Sequence, residues 1–347
     1  MTGRILTLLL SAAVLALAFA LGPVSGGQAR TVAPEAPAAR HVVAFRTTTL
    51  TPAARARLDV TGFWGGPVTS SSGETLTLYF SNTYTQDPAQ QLQWANFFSS
   101  LVHGSELPLL KAYLMPLTEV QSYCGRAALA CYSASDSTLI APATDPATDV
   151  SAQAVVTHEY GHHIAAHRTD DPWVAVDYGP KRWASYENVC ARTASGELHP
   201  GAEDPIEYVT NPGEAWAETY RVLNQRRLGL PETAWDIVNP NLYPDATALA
   251  AAQQDVLQPW SGPTSTSYRG TSGRTYAIPT PLDGRMTVRI SAAAKTRVRL
   301  TLGSTSTTTS PGGSRTVTRT ICGQRTASVS VKRVAGRGAY TLTVAKP

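Results

Sequence analysis

Long apolar runs are nearly missing from these 347 residues. One spans 5–21, and no later stretch is long and apolar enough to cross a bilayer. Cysteine is scarce too, with only Cys124, Cys131, Cys190 and Cys322. No two of them stand at Cys-x-x-Cys spacing, which argues against a tetrahedral thiolate zinc site. None lies in 30–60, so that segment cannot silence a metal with a thiolate. None stands directly after the apolar run, which argues against a lipid-attached cysteine. No Asp-x-Asp-x-Asp-Gly run occurs to form an EF-hand calcium loop. Acids are nearly absent from the last quarter. Residues 263–347 carry 14 Lys and Arg against the single acid Asp283, whereas the rest carries 15 basic and 24 acidic residues. The tail is therefore at +13 and the rest at −9, within a chain at +4.

What is present begins with Arg4, the apolar run and small residues through Ala29, which read as a secretory signal peptide over 1–29. An uncleaved anchor is the alternative. The expected location is secreted or extracellular, with no membrane span after signal removal. An even cysteine count in an exported chain suggests disulfides, with three pairings open. Cys124 with Cys131 closes a short loop and is the favoured pair, and Cys190 with Cys322 would then tie two domains together. Residues 30–60, rich in Ala, Pro, Thr and Arg without an apolar period, read as a linker or short propeptide.

From 61 to 262 the pattern is that of a folded domain. Thr75 to Ser81 alternates like a strand, and Asp87-Pro88 opens a helix with Leu92, Ala95, Phe98 and Val102 at helical spacing. Further strands are expected over 110–120 and 137–143, a helix stop at Gly229 and another helix over 245–258. Residues 263–347 change character. Alternating runs such as Met286 to Ile290, Arg297 to Thr301 and Tyr340 to Val344 imply an all-β sandwich. Its basic charge suggests an anionic cell-envelope polymer as partner, or docking of its arginines on the acidic domain. Nucleic acid fits less well, because interleaved aromatics are lacking.

The stretch that organises the middle of the chain is Thr157-His158-Glu159-Tyr160-Gly161-His162-His163. On a helix, residues four apart lie on one face, so His158 and His162 can aim two imidazoles at one metal ion. Glu159 stands about 100° round the helix, placed to take a proton from water without binding the metal. Asp149 or Ser151 can cap this helix, and Gly161 inside it suggests that another segment packs closely there. His163 and His167 lack the intervening acid and read as surface residues or as supports for the metal ligands. A third ligand cannot come from the elongated His-Glu-x-x-His-x-x-Gly-x-x-His pattern, because Ala165 and Arg168 occupy its last two positions. Downstream, Asn211-Pro212 opens a helix with Glu214 and Glu218 one turn apart. Such a pair is ordinarily a solvated face, but Trp216, Ala217, Tyr220 and Leu223 make this segment apolar around the acids, and buried carboxylates need partners.

His158-Glu159-x-x-His162 followed by Glu214-x-x-Ala217-Glu218-x-Tyr220-Arg221 resembles the gluzincin metallopeptidases, and its second helix is similar to that of anthrax lethal factor and its relatives. The resemblance covers about seventy residues in two blocks. It implies an α+β zincin-like catalytic domain followed by the β-sandwich. It also implies Zn2+ held by His158, His162 and Glu214, with Glu218 accepting the free ring N–H of a ligating histidine. Glu159 would be the general base, and Tyr208, six residues before Glu214, would face the oxyanion, though its spacing is not identical to that of lethal factor. The strand Thr138-Leu139-Ile140-Ala141 would be the edge that pairs with an extended peptide substrate. The expected function is a secreted zinc metalloendopeptidase acting on peptides or proteins. The other readings are a catalytically weak zinc-containing binding protein of the cell surface, and a structural exported protein whose motif is fortuitous.

Overall fold

The computed structural model describes residues 30, 50, 52–58, 62–146, 149–203, 207–232 and 239–347. The expected signal peptide lies outside the described residues, as does most of 30–60. The described chain is mixed α+β with a sheet-rich C-terminal portion.

Five strands form the first sheet: β1 (Phe63–Thr69), β2 (Thr75–Ser81), β3 (Lys111–Leu114), β4 (Cys131–Ser133) and β5 (Thr138–Ala141). Their order is β1-β2-β3-β5-β4, with β2, β3 and β5 parallel and the outer pairings antiparallel. Successive side chains point to opposite faces of a sheet, and both faces are covered here. Leu76, Leu78, Phe80, Ala112, Leu114, Leu139 and Ala141 share a core with Phe98 of the helix Pro88–Ser100 and Val155 of the helix Ala152–Ala166. From the opposite face, Tyr113 and Ile140 pack with Val120 of the helix Leu117–Cys124 and with Leu50, Ala54 and Leu58. The last two residues belong to a helix, Pro52–Leu58, inside the segment expected to be a linker.

Two expectations need correction. The 110–120 stretch is strand only to Leu114, because Pro116 starts the helix Leu117–Cys124. The strand at 138–141 is not an edge: β3 pairs one side of it and β4 the other. The physical reason is the Cys124–Cys131 disulfide, which bonds the start of β4 to the helix beside the sheet, where β4 covers the exposed side of β5. The helix expected from Asp87 forms with that carboxylate capping Ala89 N–H, but Leu92 is 40% exposed and does not join the core as its spacing suggested.

The second portion has eight strands: β6 (Thr264–Gly270), β7 (Arg274–Pro279), β8 (Gly284–Ala292), β9 (Arg297–Leu302), β10 (Thr305–Thr308), β11 (Ser314–Ile321), β12 (Thr326–Ala335) and β13 (Tyr340–Lys346). They form two antiparallel sheets, β10-β9-β12-β7 and β11-β8-β13-β6. Val288, Ile290 and Leu342 from one sheet meet Leu300, Val329 and Val331 from the other in a single core. Strict burial alternation along β8 shows why Thr/Val/Arg-rich runs make such layers: every second side chain stays in water.

The two portions are joined by the Cys190–Cys322 disulfide and a buried ionic cluster. Lys181 Nζ bonds Asp170 Oδ1 at 2.5 Å and donates to the Asp283 carbonyl at 3.1 Å. Asp283 in turn takes Arg325 at 2.6 Å and donates its N–H to Ser185 Oγ. Both favoured disulfide pairings are thus present.

His163 corrects another expectation. It is fully buried, its ring held between the Tyr132 hydroxyl at 3.0 Å and the Glu106 carbonyl at 2.9 Å, so it is neither on the surface nor among the supports of His158 or His162. Burial pushes its pKa down to about 4. The unfolded chain therefore takes up a proton below about pH 6.5 that the folded chain refuses until about pH 4. The stabilising contribution is complete above the unfolded value and is lost as pH falls through that window. In a His163→Gln variant, acid unfolding curves should lose up to about 1.4 kcal/mol per pH unit of slope between pH 6.5 and 4. Superimposable slopes in variant and parent would show that this ring does not resist protonation.

Candidate metal centre

The centre is built where two helices lie against each other. The first, Ala152–Ala166, is capped by Ser151, whose hydroxyl accepts from Ala154 N–H at 3.1 Å, while Asp145 accepts from Ala152 N–H. It is buried on nearly every side, as expected of a helix in the middle of a domain. The second, Pro212–Leu228, has Asn211 as its cap, proline in its first turn and Gly229 in the left-handed conformation at its end. At their crossing a Cβ on Gly161 would stand 2.9 Å from Ala217 Cα, so only glycine permits this approach. Trp216 Nε1 donates to the Gly161 carbonyl at 2.8 Å and fixes the contact.

That approach brings His158, His162 and Glu214 together as a group that could hold a metal ion. The distances are 3.1 Å from His158 Nε2 to Glu214 Oε2, 3.2 Å between the two Nε2 atoms, and 3.4 Å from His162 Nε2 to Glu214 Oε2. Ligand atoms bonded tetrahedrally at about 2.0–2.1 Å stand about 3.3 Å apart, so the triangle has the size of such a site. On the far side of the first ring, His158 Nδ1 lies 2.7 Å from Glu218 Oε1. An N–H donated there leaves Nε2 with its lone pair facing the triangle, beside a carboxylate oxygen. The group could hold a cation, and the donor set of two imidazoles and one carboxylate suits zinc chemistry without fixing the ion's identity.

The electrostatics show how strongly the two acids draw positive charge to the His158 ring. Burial alone would lower the pKa of His158, but Glu214 and Glu218 on its two nitrogens outweigh it and push it up to about 10. Burial would raise Glu214, and the imidazoles of His162 and His158 more than reverse this, holding it well below the usual carboxylate range. Glu218 likewise falls to about 2, its desolvation overcome by Arg221 and then by His158. Arg221 Nε donates to Glu218 Oε1 at 2.8 Å and its Nη2 to Oε2, while Nη1 reaches Gln225 Oε1. The role of Arg221 is not evident from the resemblance that includes it. Its i, i+3 spacing from Glu218 was the available signal.

Glu159 differs from the other acids. It is fully buried, and neither carboxylate oxygen has a hydrogen-bond partner among the described residues. Desolvation drives its pKa well above the usual value, only partly offset by His158 and reinforced by Glu214 and Glu218. A buried carboxyl group without a partner, next to a converging ligand set, calls for an explanation that packing alone does not give. Tyr208, in the short 3-10 turn Tyr208–Thr210, brings its hydroxyl to Glu214; burial raises its pKa strongly and Glu214 adds to that. His167 bonds Ser137 Oγ at 3.0 Å, away from the triangle.

A separate cavity of about 250 Å³ opens at the start of the first helix, lined by Asp145, Asp149, Thr157 and Gln225 among others. None of the ligand-set residues lines it, so it is not the metal centre.

No protein-family model and no curated protein matches the chain. Among solved structures, a de novo designed double-stranded β-helix aligns with 23% of this chain and 95% of its own at 13% identity and a TM-score of 0.18. A cupin-superfamily sugar phosphate isomerase from Silicibacter pomeroyi aligns with 25% of this chain and 52% of its own, at 10% identity and a TM-score of 0.17. A family GH115 4-O-methyl-α-glucuronidase aligns with 56% of this chain and 39% of its own at 9% identity and a TM-score of 0.19. Likenesses this slight carry no argument about fold or activity, so the function has to be argued from the site.

If Glu218 orients His158, Glu218→Gln should weaken zinc affinity about 10- to 100-fold by competition with a chromophoric chelator, with the fold retained by circular dichroism. Unchanged affinity would remove Glu218 from the centre.

Proposed function

We propose that this chain is a secreted zinc-dependent metallopeptidase of the gluzincin type, with a zincin-like catalytic portion at 61–262. The observation that carries the reading is the partnerless buried carboxylate of Glu159 beside the His158, His162 and Glu214 triangle. A structural metal site needs ligands only, whereas this one has an additional acid with nothing to bond. Export is supported by the two disulfides.

Zinc held by His158, His162 and Glu214 would supply Lewis acidity toward a carbonyl oxygen and make a coordinated water acidic near neutral pH. The protein's own groups do the rest. Glu159, with its raised proton affinity, takes a proton from the attacking water and passes it to the leaving amine. Glu218, fixed by Arg221, holds the His158 ring in one tautomer and orientation. Tyr208, whose hydroxyl bonds Glu214 at the edge of the ligand set, would turn that hydroxyl to the oxygen that gains charge. His158, Glu159, His162 and Glu214 are each at most 1% exposed, so a peptide reaches them only when the covering chain gives way. Exclusion of water in the closed site strengthens every charge interaction within it.

Glu159→Gln should keep one equivalent of zinc and lower kcat on a peptide library by about 10²-fold or more, the typical share of a general base. Tyr208→Phe should lower kcat with little change in KM. A zinc-loaded parent that cleaves no peptide would favour the cell-surface binding reading instead, and a Glu159→Gln enzyme of ordinary activity would exclude this base.

A further inference from the structure

The outer face of the β10-β9-β12-β7 sheet carries charge in an arrangement that costs stability. Burial alternates along β9, so Val298 and Leu300 point inward while Arg297 and Arg299 stand exposed. The β12 register then sets Lys332, also exposed, directly opposite Arg299. Directly opposed residues are about 4.5–5.5 Å apart, and like charges there repel. Lys295, exposed on the turn before β9, adds another cation with φ at 61°, a left-handed conformation that a lysine adopts only at some cost.

Docking of these cations on the acidic portion of the chain would have explained them, and the structure does not show it. Ten Lys and Arg of 263–347 are exposed, and among the described residues only Arg285 comes within ion-pair distance of a carboxylate, Asp171 at 3.7 Å. Asp283, the one acid of the segment, is buried and engaged by Arg325. The face has no acid to quench Arg297, Arg299 and Lys332, and the charge is turned to solvent.

We propose that this sheet face is a docking surface for an anionic phosphodiester polymer of the cell envelope, with Arg297, Arg299 and Lys332 at its centre. Planar guanidinium groups match pairs of phosphate oxygens, and the neighbouring Thr301, Ser306 and Ser330 offer hydroxyl donors on the same face. Bases are not part of the ligand. Tyr276 and Tyr340 are buried, bonded to each other at 3.0 Å, and leave no ring on this face on which a base could stack. The sheet thus holds the protein at the surface of an envelope by counterion release, independently of whether the metal centre cleaves peptides.

The test uses the full chain and polyglycerol phosphate as probe, titrated between 50 and 300 mM salt. Two charge-matched variants are compared with the parent: Arg297→Gln/Arg299→Gln/Lys332→Gln, and Arg269→Gln/Arg285→Gln/Arg289→Gln on the other sheet. The parent should bind with a log–log salt slope that the first variant reduces by about 2 to 3, with affinity at 0.1 M salt down at least about 10-fold. The second variant should stay within about 3-fold of the parent, and a single-stranded DNA of equal charge should bind more weakly. The first variant's Tm should hold or rise, because a repelling pair is removed. Absence of parent binding at 0.1 M salt, equal losses in both variants, or DNA binding as tight as the polymer would each overturn the assignment.

Discussion

Three polar atoms, His158 Nε2, His162 Nε2 and Glu214 Oε2, are brought within 3.4 Å of one another inside a packed protein. Burial strips them of most of their hydration, so each depends on what the others share with it, a proton or a cation. The arrangement persists because two buried helices are locked at their crossing: Gly161 lets the Ala217 backbone in, and the Trp216 indole closes the contact with a hydrogen bond. Packing fixes the geometry, and the geometry makes a group that could hold a cation. The rest of the site is arranged around that group.

Around the triangle, buried charge is balanced link by link. Glu218 takes the outer nitrogen of His158, Arg221 neutralises Glu218, and Gln225 accepts from Arg221 at the border of the neighbouring cavity. Glu159 alone is left out of this chain of partners. The contrast separates the groups that are tied into the centre from the one acid that the proposed function uses as its base. The sheet-rich portion does the reverse with its charge. It buries Asp283 against Arg325 where it joins the first portion and leaves ten of its other arginines and lysines exposed.

Much of the centre was legible because its signals are local. A four-residue spacing fixes which side chains share a helix face, so His158 and His162 could be paired from sequence alone, and Glu214 and Glu218 likewise. Asn211, Pro212 and Gly229 marked the ends of the second helix by capping chemistry that needs no tertiary context. The alternation in 263–347 gave the strands for the same reason. What failed was non-local. The edge position of Thr138–Ala141 depended on where a disulfide would hold Cys131, and the surroundings of His163 depended on Tyr132 and Glu106, brought in from distant parts of the chain. The docking of Leu50, Ala54 and Leu58 on the sheet was equally invisible, because a short helix without strong periodicity declares itself only through what it packs against.

The central claim is that the buried triangle is a metal site of two imidazoles and one carboxylate. X-ray absorption at the zinc edge, on protein dialysed to one equivalent of metal, reads it directly. The account predicts two imidazole nitrogens and a carboxylate oxygen at about 2.0–2.1 Å with no sulfur. A protein that retains no stoichiometric zinc, or a spectrum without paired imidazole scattering, would contradict it.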